Sequence, residues 1–514
     1  MENVTAVSER IQKAITLAIT AGYQLEKEAF NFLKTMSKNT DPVKLIEKTI
    51  KKIENLPEKP LFISQSFLGE TEKVFFTKIE EEKKLSPPII TPKGTFRAYA
   101  KDIESDLKVI EDPTDKICGT GSIEEYIEYF RDRFNRIQKF LRRRMDAKDA
   151  IPISAALKVP LRTRVKIICM ITEKREHKQR LILRIEDLET SAIVLISPRA
   201  PPEVSDKARR LLLDQVVCIC AIKGRNNLFI AEDFIWPDIP QRKPKQALIP
   251  VYAALISDLH VGSKMFMPAA FNRFILWLNG KFGNKNLRTI ASHVKYLVVA
   301  GDLVEGIGVY PGQIETLERI DIYDQYLAVS KFFEQIPDYI EVIFIPGNHD
   351  VSRKALPQPA LPRDYAEPIY EARDVQSLGN PSVIQLHGVE LLLYHGQSFD
   401  ELISTIPDLS FSTLDKALKF LLQSRHLAPI YGEKTPISPE KRDFMVIERA
   451  PDIFHSGHMH VLKYGTYRGT LMLNSGAWQE QTEYQRRMRL VPTPGIAPIV
   501  NLQTLEVIPI DFTS

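Results

Sequence analysis

Four apolar runs mark the second half of the chain: Val251-Tyr252-Ala253-Ala254-Leu255-Ile256, Tyr296-Leu297-Val298-Val299-Ala300, Val342-Ile343-Phe344-Ile345 and Leu391-Leu392-Leu393-Tyr394. Apolar runs of this length, ended by a glycine, an acid or a histidine, read as buried strands. Their number and spacing predict a layered α/β domain over residues 245–514, with each strand giving way to a loop where ligands bind in such architectures.

Upstream the pattern shortens. Strands are predicted over 165–172, 180–185, 191–196, 215–223 and 228–234, with a helical stretch over 202–213. Five strands with a helix between the third and fourth is the order of an OB-fold barrel, expected over 151–240. Few aromatics lie on those strands, so the barrel is expected to pack against the α/β domain and a partner rather than to stack bases. Within 116–150, Ser122 and Glu125 form a capping box ahead of a stripe at Tyr126, Phe130, Phe134, Ile137 and Leu141, and Arg142, Arg143 and Arg144 favour the helix end. Residues 57–115 read as a partly disordered linker, with a charge run and prolines near 80–95. Residues 1–56 read as a small helical interaction module, in which Asp41 caps a helix opening at Pro42 and carrying Val43, Ile46, Ile50 and Ile53 at helical spacing.

The 514 residues are enough for two to four domains, and 44% hydrophobic content is that of a globular protein. A net charge of +4 is too small to indicate nucleic-acid binding by itself. Cys118, Cys169, Cys218 and Cys220 show no zinc pattern and read as reduced core residues of an intracellular protein. No signal layout and no membrane-length apolar run is present, so a soluble, cytoplasmic protein without a membrane partner is expected.

The chemistry lies in five short segments, each following an apolar strand: Asp258-Leu259-His260, Gly301-Asp302, Gly347-Asn348-His349-Asp350, Tyr394-His395-Gly396 and Gly457-His458-Met459-His460. Half of the ten histidines fall in them. Any one segment alone is a weak signal. In this order they supply the hard oxygen and imidazole ligands of a site for two divalent metal ions, which can clamp both the attacking and the leaving oxygen of a phosphoester.

The segments resemble the signature of calcineurin-like metallophosphoesterases. The longer strings Ala300-Gly301-Asp302-Leu303-Val304-Glu305-Gly306-Ile307-Gly308-Val309-Tyr310-Pro311-Gly312-Gln313, Gln358-Pro359-Ala360-Leu361-Pro362 and Tyr394-His395-Gly396-Gln397-Ser398 are similar to the small subunits of archaeal family D DNA polymerases. That resemblance implies a multidomain α/β protein: a four-layer α/β sandwich preceded by an OB-fold barrel and a helical N-terminal module. It implies a metal-dependent 3′-to-5′ proofreading exonuclease acting on single-stranded or frayed DNA ends, a large catalytic subunit that performs synthesis, and a sliding clamp as a further partner. In related eukaryotic subunits the ligands have decayed, whereas here every position is filled. A non-catalytic structural subunit and a stand-alone metallophosphodiesterase are the competing readings.

Carried over residue by residue, the resemblance implies one ion held by Asp258, His260 and His460, a second by Asn348, His395 and His458, and Asp302 bridging both. Manganese is favoured over iron or zinc. His349 would face the substrate as a catalytic group, and Asp350 would orient that ring or hold its loop. Glu305, where an aspartate is common in the family, is read either as an outer support of the site or as a solvated loop carboxylate. His455 is read as structural; His177, His293, His387 and His426 stay unassigned. Arg353 and Lys354 are weighed as a border of the substrate path against solvated loop charges.

Overall fold

In the computed structural model, which describes residues 3–36, 42–54, 60, 62–64, 68, 96–177 and 180–514, the apolar runs become inner strands of two six-stranded sheets. The chain divides into two units, residues 1–90 and 91–514. The first holds helices α1 (Asn3–Thr20), α2 (Lys27–Met36) and α3 (Pro42–Glu54) with two short parallel strands, β1 (Gln24–Leu25) and β2 (Phe62–Ile63). Pro42 opens α3, and Ile46, Ile50 and Ile53 bury against Ala14, Leu33 and Leu45. The predicted cap Asp41 and the charged stretch near 80–95 lie outside the described residues.

The second unit begins inside the stretch that reads as linker. There β3 (Leu107–Glu111) pairs antiparallel with a strand almost three hundred residues later, and that partner supplies the order the local sequence does not. The following helix, Ile123–Arg143, carries the expected capping box at Ser122 and Glu125. Its buried face differs from the predicted stripe. Tyr129 and Arg133 are buried while Tyr126 is exposed and Phe130 only half-buried, because Arg133 finds a buried carboxylate, Asp443, at 2.7 Å.

A closed barrel follows, formed by β4 (Arg164–His177), β5 (Arg180–Glu186), β6 (Ser191–Ile196), β7 (Val216–Lys223) and β8 (Leu228–Ile235) in the order β4-β5-β6-β8-β7. The helix Pro202–Arg210 connects β6 to β7, and inward residues such as Ile167, Ile171, Leu183, Val194, Ile219 and Phe229 fill the interior. β4 runs beyond its apolar segment because Glu173 to His177 pair with β5, so the ladder rather than burial holds that end.

The first sheet has the order β12-β11-β10-β9-β18-β19, with β9 (Tyr252–Ile256), β10 (Val294–Ala300), β11 (Glu341–Ile345), β12 (Gln376–Ser377), β18 (Ile496–Asn501) and β19 (Val507–Asp511). The second has the order β16-β17-β15-β14-β13-β3, with β13 (Ser382–Leu386), β14 (Val389–Leu393), β15 (Ile453–Ser456), β16 (Lys463–Tyr467) and β17 (Thr470–Asn474). Strands β9 to β12 are mutually parallel, as are β14, β15 and β17.

The pleat explains why these strands are apolar at every position. Ala253, Leu255, Val298, Ala300, Ile343 and Ile345 pack between the sheets against Leu391, Leu393 and Leu473. Their neighbours Ala254, Ile256, Leu297, Val299 and Phe344 face the helices Pro268–Leu278 and Ile322–Phe333. On the far side, Leu392, Phe454 and Met472 meet the helix Leu414–Ser424.

Cys169 and Cys218 are buried as expected, but Cys220 is half-buried and Cys118 exposed; all four are free thiols. Cys118 sits in the turn before the helix Ile123–Arg143, where its N–H donates to Glu440, so backbone bonding rather than burial holds it. Among the described residues no helix is long and apolar enough to cross a membrane.

Candidate metal centre

The C-terminal ends of β9, β10 and β11 in one sheet, and of β14 and β15 in the other, converge at one edge of the sandwich. The five motifs are the loops leaving those strands. Neighbouring loops are stitched by backbone bonds: the Asp258 N–H donates to Gly301 O at 2.9 Å and the His260 N–H to Asp302 O at 3.1 Å. Asp258, His260, Asp302, His458 and His460 all adopt left-handed backbone, with φ between 53° and 69°. For L-residues that conformation costs about 1–2 kcal/mol each, so surrounding bonds hold a geometry the local sequence would not choose. A Cβ on Gly347 would lie 2.1 Å from Asp302 Oδ1, which makes glycine necessary where this loop passes the central carboxylate.

The side chains form two groups joined by Asp302. In the first, His260 Nε2 is 3.0 Å from His460 Nε2 and 3.9 Å from Asp258 Oδ1, and His460 Nε2 is 3.5 Å from the same oxygen. In the second, Asn348 Oδ1 is 3.0 Å from His395 Nε2 and 2.9 Å from His458 Nδ1. Asp302 Oδ2 reaches both, 3.7 Å from His260 Nε2 and 3.3 Å from His395 Nε2. Asp258 with His260 and His460, and Asp302 with His395 and His458, each gather their ligand atoms closely enough to hold an ion. All seven residues predicted as metal ligands are thus brought together.

The far ring nitrogens show which nitrogens face inward. His395 Nδ1 is 2.7 Å from Ala300 O, and a carbonyl only accepts, so Nδ1 carries a proton and Nε2 is the nitrogen turned toward the centre. His458 Nε2 is likewise 2.9 Å from Asp400 Oδ2, leaving Nδ1 to face Asn348. His260 Nδ1 lies 2.9 Å from Glu305 Oε2, in ion-pair contact. Glu305 is 2% exposed, which excludes the solvated reading; it also accepts from Tyr310 Oη at 3.0 Å and Gln479 Nε2 at 2.9 Å. His460 is the exception. Its Nδ1 faces the Gln485 amide nitrogen at 2.8 Å, while Gln485 Oε1 already accepts from the Thr482 N–H at 3.1 Å.

Electrostatics follow from this packing. Burial opposes charge on His260, but Glu305, Asp302 and Asp258 outweigh it and raise the imidazole to about 9. Burial likewise opposes charge on His395, which Asp302 and Asp258 raise to about 9. Glu305 would be raised by burial but is pulled to about 2 by His260 and His349. Asp302 is held well below the ordinary carboxylate value because the surrounding imidazoles overcome its desolvation.

The two predicted catalytic groups separate. His349 is half-buried beside the first group, its ring edge-on to His260 with centroids 4.7 Å apart. Its Nδ1 is 2.7 Å from Glu305 O, so Nδ1 carries a proton and Nε2 is the nitrogen without that partner; with His260 and Asp302 it forms a third group close enough to hold an ion. Burial lowers its pKa. Asp350 instead accepts from the N–H groups of Gly347, Leu303 and Val304 at 2.9, 3.3 and 3.4 Å and from Tyr326 Oη at 3.3 Å; the His349 ring is not among its partners. It ties the loop rather than the ring. Burial and the Asp302 charge raise its carboxyl to about 6.

Arg353 is paired through Nη1 with the buried Glu440 at 2.8 Å, so it is not a solvated loop charge, while its Nη2 has no hydrogen-bond partner. The Lys354 ammonium donates to Asn348 O at 2.6 Å. His455 is buried against Ser475 Oγ at 2.8 Å, as a structural residue, with burial pushing it to about 3. Asp400 and Gln479 escape the sequence reading because no motif or spacing marks them; Gln485 is marked only as the third position of a helix capping box with Thr482, and Tyr310 only as part of the longer string after Asp302.

Residues 253–461 match the family of the DNA polymerase alpha/epsilon B subunits. Three proteins named DNA polymerase II small subunit align over most of the chain. That of Methanothermobacter thermautotrophicus is 36% identical over 95% of this chain and 97% of its own length. That of Methanocaldococcus jannaschii is 39% identical over 78% and 68%, and that of Archaeoglobus fulgidus 38% over 80% and 82%. Among solved structures, an archaeal phosphodiesterase aligns with 51% of this chain and 99% of its own at 15% identity, with a TM-score of 0.26, too low to argue a shared fold.

Proposed function

Because the chain belongs to the family of archaeal DNA polymerase II small subunits, we propose that it is the metal-dependent 3′-to-5′ exonuclease subunit of a two-subunit DNA polymerase. Synthesis then resides in a large catalytic subunit, and the place of action is the cytoplasm, where replication occurs. In this reading the sandwich is a calcineurin-like phosphoesterase domain and the barrel an OB-fold. DNA is the substrate, and a sliding clamp is a further partner of the assembly.

One observation carries the enzymatic reading: two ligand groups of carboxylate, amide and imidazole share the single carboxylate of Asp302 beside a histidine with a free nitrogen. The donor set fits two divalent ions of borderline hardness, with manganese favoured over iron or zinc. Asp258, His260 and His460 would hold one, Asn348, His395 and His458 the other, and Asp302 both. Ions bound there would supply Lewis-acid activation of water and of the phosphodiester. His349 presents Nε2 to the substrate. A phosphodiester approaching it brings negative charge, which favours the imidazolium and lets Nε2 donate a proton to the departing oxygen. Glu305 positions His260 through its side chain and His349 through its carbonyl.

The test is incubation of the full chain with manganese and 3′-mismatched or single-stranded DNA carrying a 5′ label. Stepwise shortening of the labelled strand, abolished by a chelator, is expected, with no nucleotide incorporation by the chain alone. Absence of metal-dependent shortening in the presence and absence of the large subunit would leave a structural subunit instead.

A further inference from the structure

We propose that a cavity between the helix Ile123–Arg143 and the turn joining β16 to β17 binds the phosphate of a nucleotide unit. The cavity has a volume of about 350 Å³ and is lined by Arg143, Arg144, Arg425 and Arg468, with Phe140 and Pro240 on its apolar wall. That volume lies in the range of small-ligand pockets. None of its residues is a candidate metal ligand.

The balance of charge points to an anion. The two acids of the lining are already engaged: Asp238 accepts from Arg468 at 3.1 Å and from Tyr467 Oη at 2.9 Å, and Glu448 pairs with Arg136 at 2.7 Å. Arg144 is paired with Asp146 at 2.6 Å. Arg425 has no such partner. It is 4% exposed, its Nη2 donates only to Glu448 O at 2.7 Å, and its Nε has no hydrogen-bond partner. Its guanidinium stacks on Phe140 at 4.1 Å, and among the described residues no carboxylate forms an ion pair with it. A buried cation left without an anion is costly. Arg143 stands exposed at the same cavity, also without an ion-pair partner among the described residues.

Two of the arginines are aimed by unusual backbone. Arg425 ends the helix Leu414–Ser424 at φ 55°, and Arg468 opens the β16–β17 turn at φ 51°. Gly469 completes that turn at φ 87°, where a Cβ would strike Arg242 O at 2.0 Å. The planar guanidinium fork matches a phosphate, and the apolar wall offers a surface to a sugar or base. The phosphate can come from a DNA strand or from a free nucleotide.

Binding is measured with the full chain in EDTA, so that no cleavage enters, using a labelled single-stranded oligodeoxynucleotide and, separately, 2′-deoxyadenosine 5′-monophosphate. Arg143→Glu is expected to weaken binding about tenfold and to make the salt dependence shallower by about 0.7 in log–log slope. Lys139→Glu, the same charge change one turn away on the same exposed helix, is the control. Arg425→Lys, which keeps the charge but loses the fork, is expected to weaken binding severalfold if it melts like the parent chain. Loss confined to the oligonucleotide assigns the pocket to a DNA strand; loss with the mononucleotide assigns it to a free nucleotide. Unchanged binding of both probes in Arg143→Glu, or an equal loss in Lys139→Glu, overturns the proposal. Since no step requires catalysis, its failure is distinct from failure of the exonuclease reading.

Discussion

Asp258, His260 and His460 present one carboxylate and two imidazoles to their half of the centre, whereas Asn348, His395 and His458 present a neutral amide and two imidazoles. The supports behind them differ more than the ligands do. In the second half both histidines have an acceptor on the far nitrogen, a carbonyl for His395 and a carboxylate for His458, so the other nitrogen of each is the one turned inward. In the first half His260 is backed by the buried Glu305, but His460 meets an amide donor that leaves its proton on the ligand side. Support behind the ligand, not ligand type alone, therefore sets how ready each half is. On this basis the second half takes an ion once the His395 proton leaves, whereas the first requires the Gln485 amide to reverse as well as loss of the His260 proton.

The largest effect is expected from Asp302→Asn, which removes the charge common to both halves. Metal analysis should show ions lost from both, with cleavage down roughly a thousandfold or more; retention of both ions would break the shared-ligand picture. His349→Ala should lower cleavage by about 10²–10⁴-fold while leaving the metal content unchanged. A parallel loss of metal would make this histidine a ligand and not a substrate contact.

Glu305→Gln and Asp400→Asn test the supports directly. Each should weaken its own half by about 10–100-fold in metal affinity. Glu305 should be the larger because it is buried, whereas the Asp400 side chain is 50% exposed and solvent shares its role. Equal effects in calorimetric titration would remove burial as the distinction.

Protonation should set metal affinity and metal-free stability against each other. His260 and His395 sit near 9 in the folded chain, above the unfolded value of about 6.5. In EDTA their contribution to stability is fully present below about pH 6.5 and is lost as pH rises through about 9. Thermal unfolding in EDTA should therefore fall over that window, while manganese affinity rises as those protons leave. A midpoint that is flat with pH would show that the two imidazoles are not charged in the metal-free fold. The smallest effect is expected from Gln485→Glu. It keeps an acceptor for Thr482 N–H and supplies a second oxygen for His460 Nδ1, so affinity in the first half should rise, by less than about tenfold.

Much of this centre is legible in sequence because its ligands sit in short motifs directly after strands that must be apolar on both faces. Asp258, Asp302, Asn348 and His395 fall there for that reason. The barrel strands are legible too, as short apolar segments with one helical stretch between the third and fourth. Less legible are features whose cause lies far along the chain. β3 is a strand only because β13 offers an edge, Arg133 is buried only because Asp443 and Pro429 O receive it, and Asp350 serves the loop because three N–H groups surround it.

Which residues could ligate an ion, and which segments had to be buried, was settled along the chain, because residue chemistry and hydrophobic periodicity are local properties. Folding settled the rest: which nitrogen of each imidazole faces inward, that Glu305 is a buried support and not a solvated carboxylate, and that Arg425 lies beside Arg143 across 282 residues of chain. Those outcomes depend on backbone carbonyls, left-handed turns and carboxylates brought together by packing, and none of these is encoded within a single window of sequence.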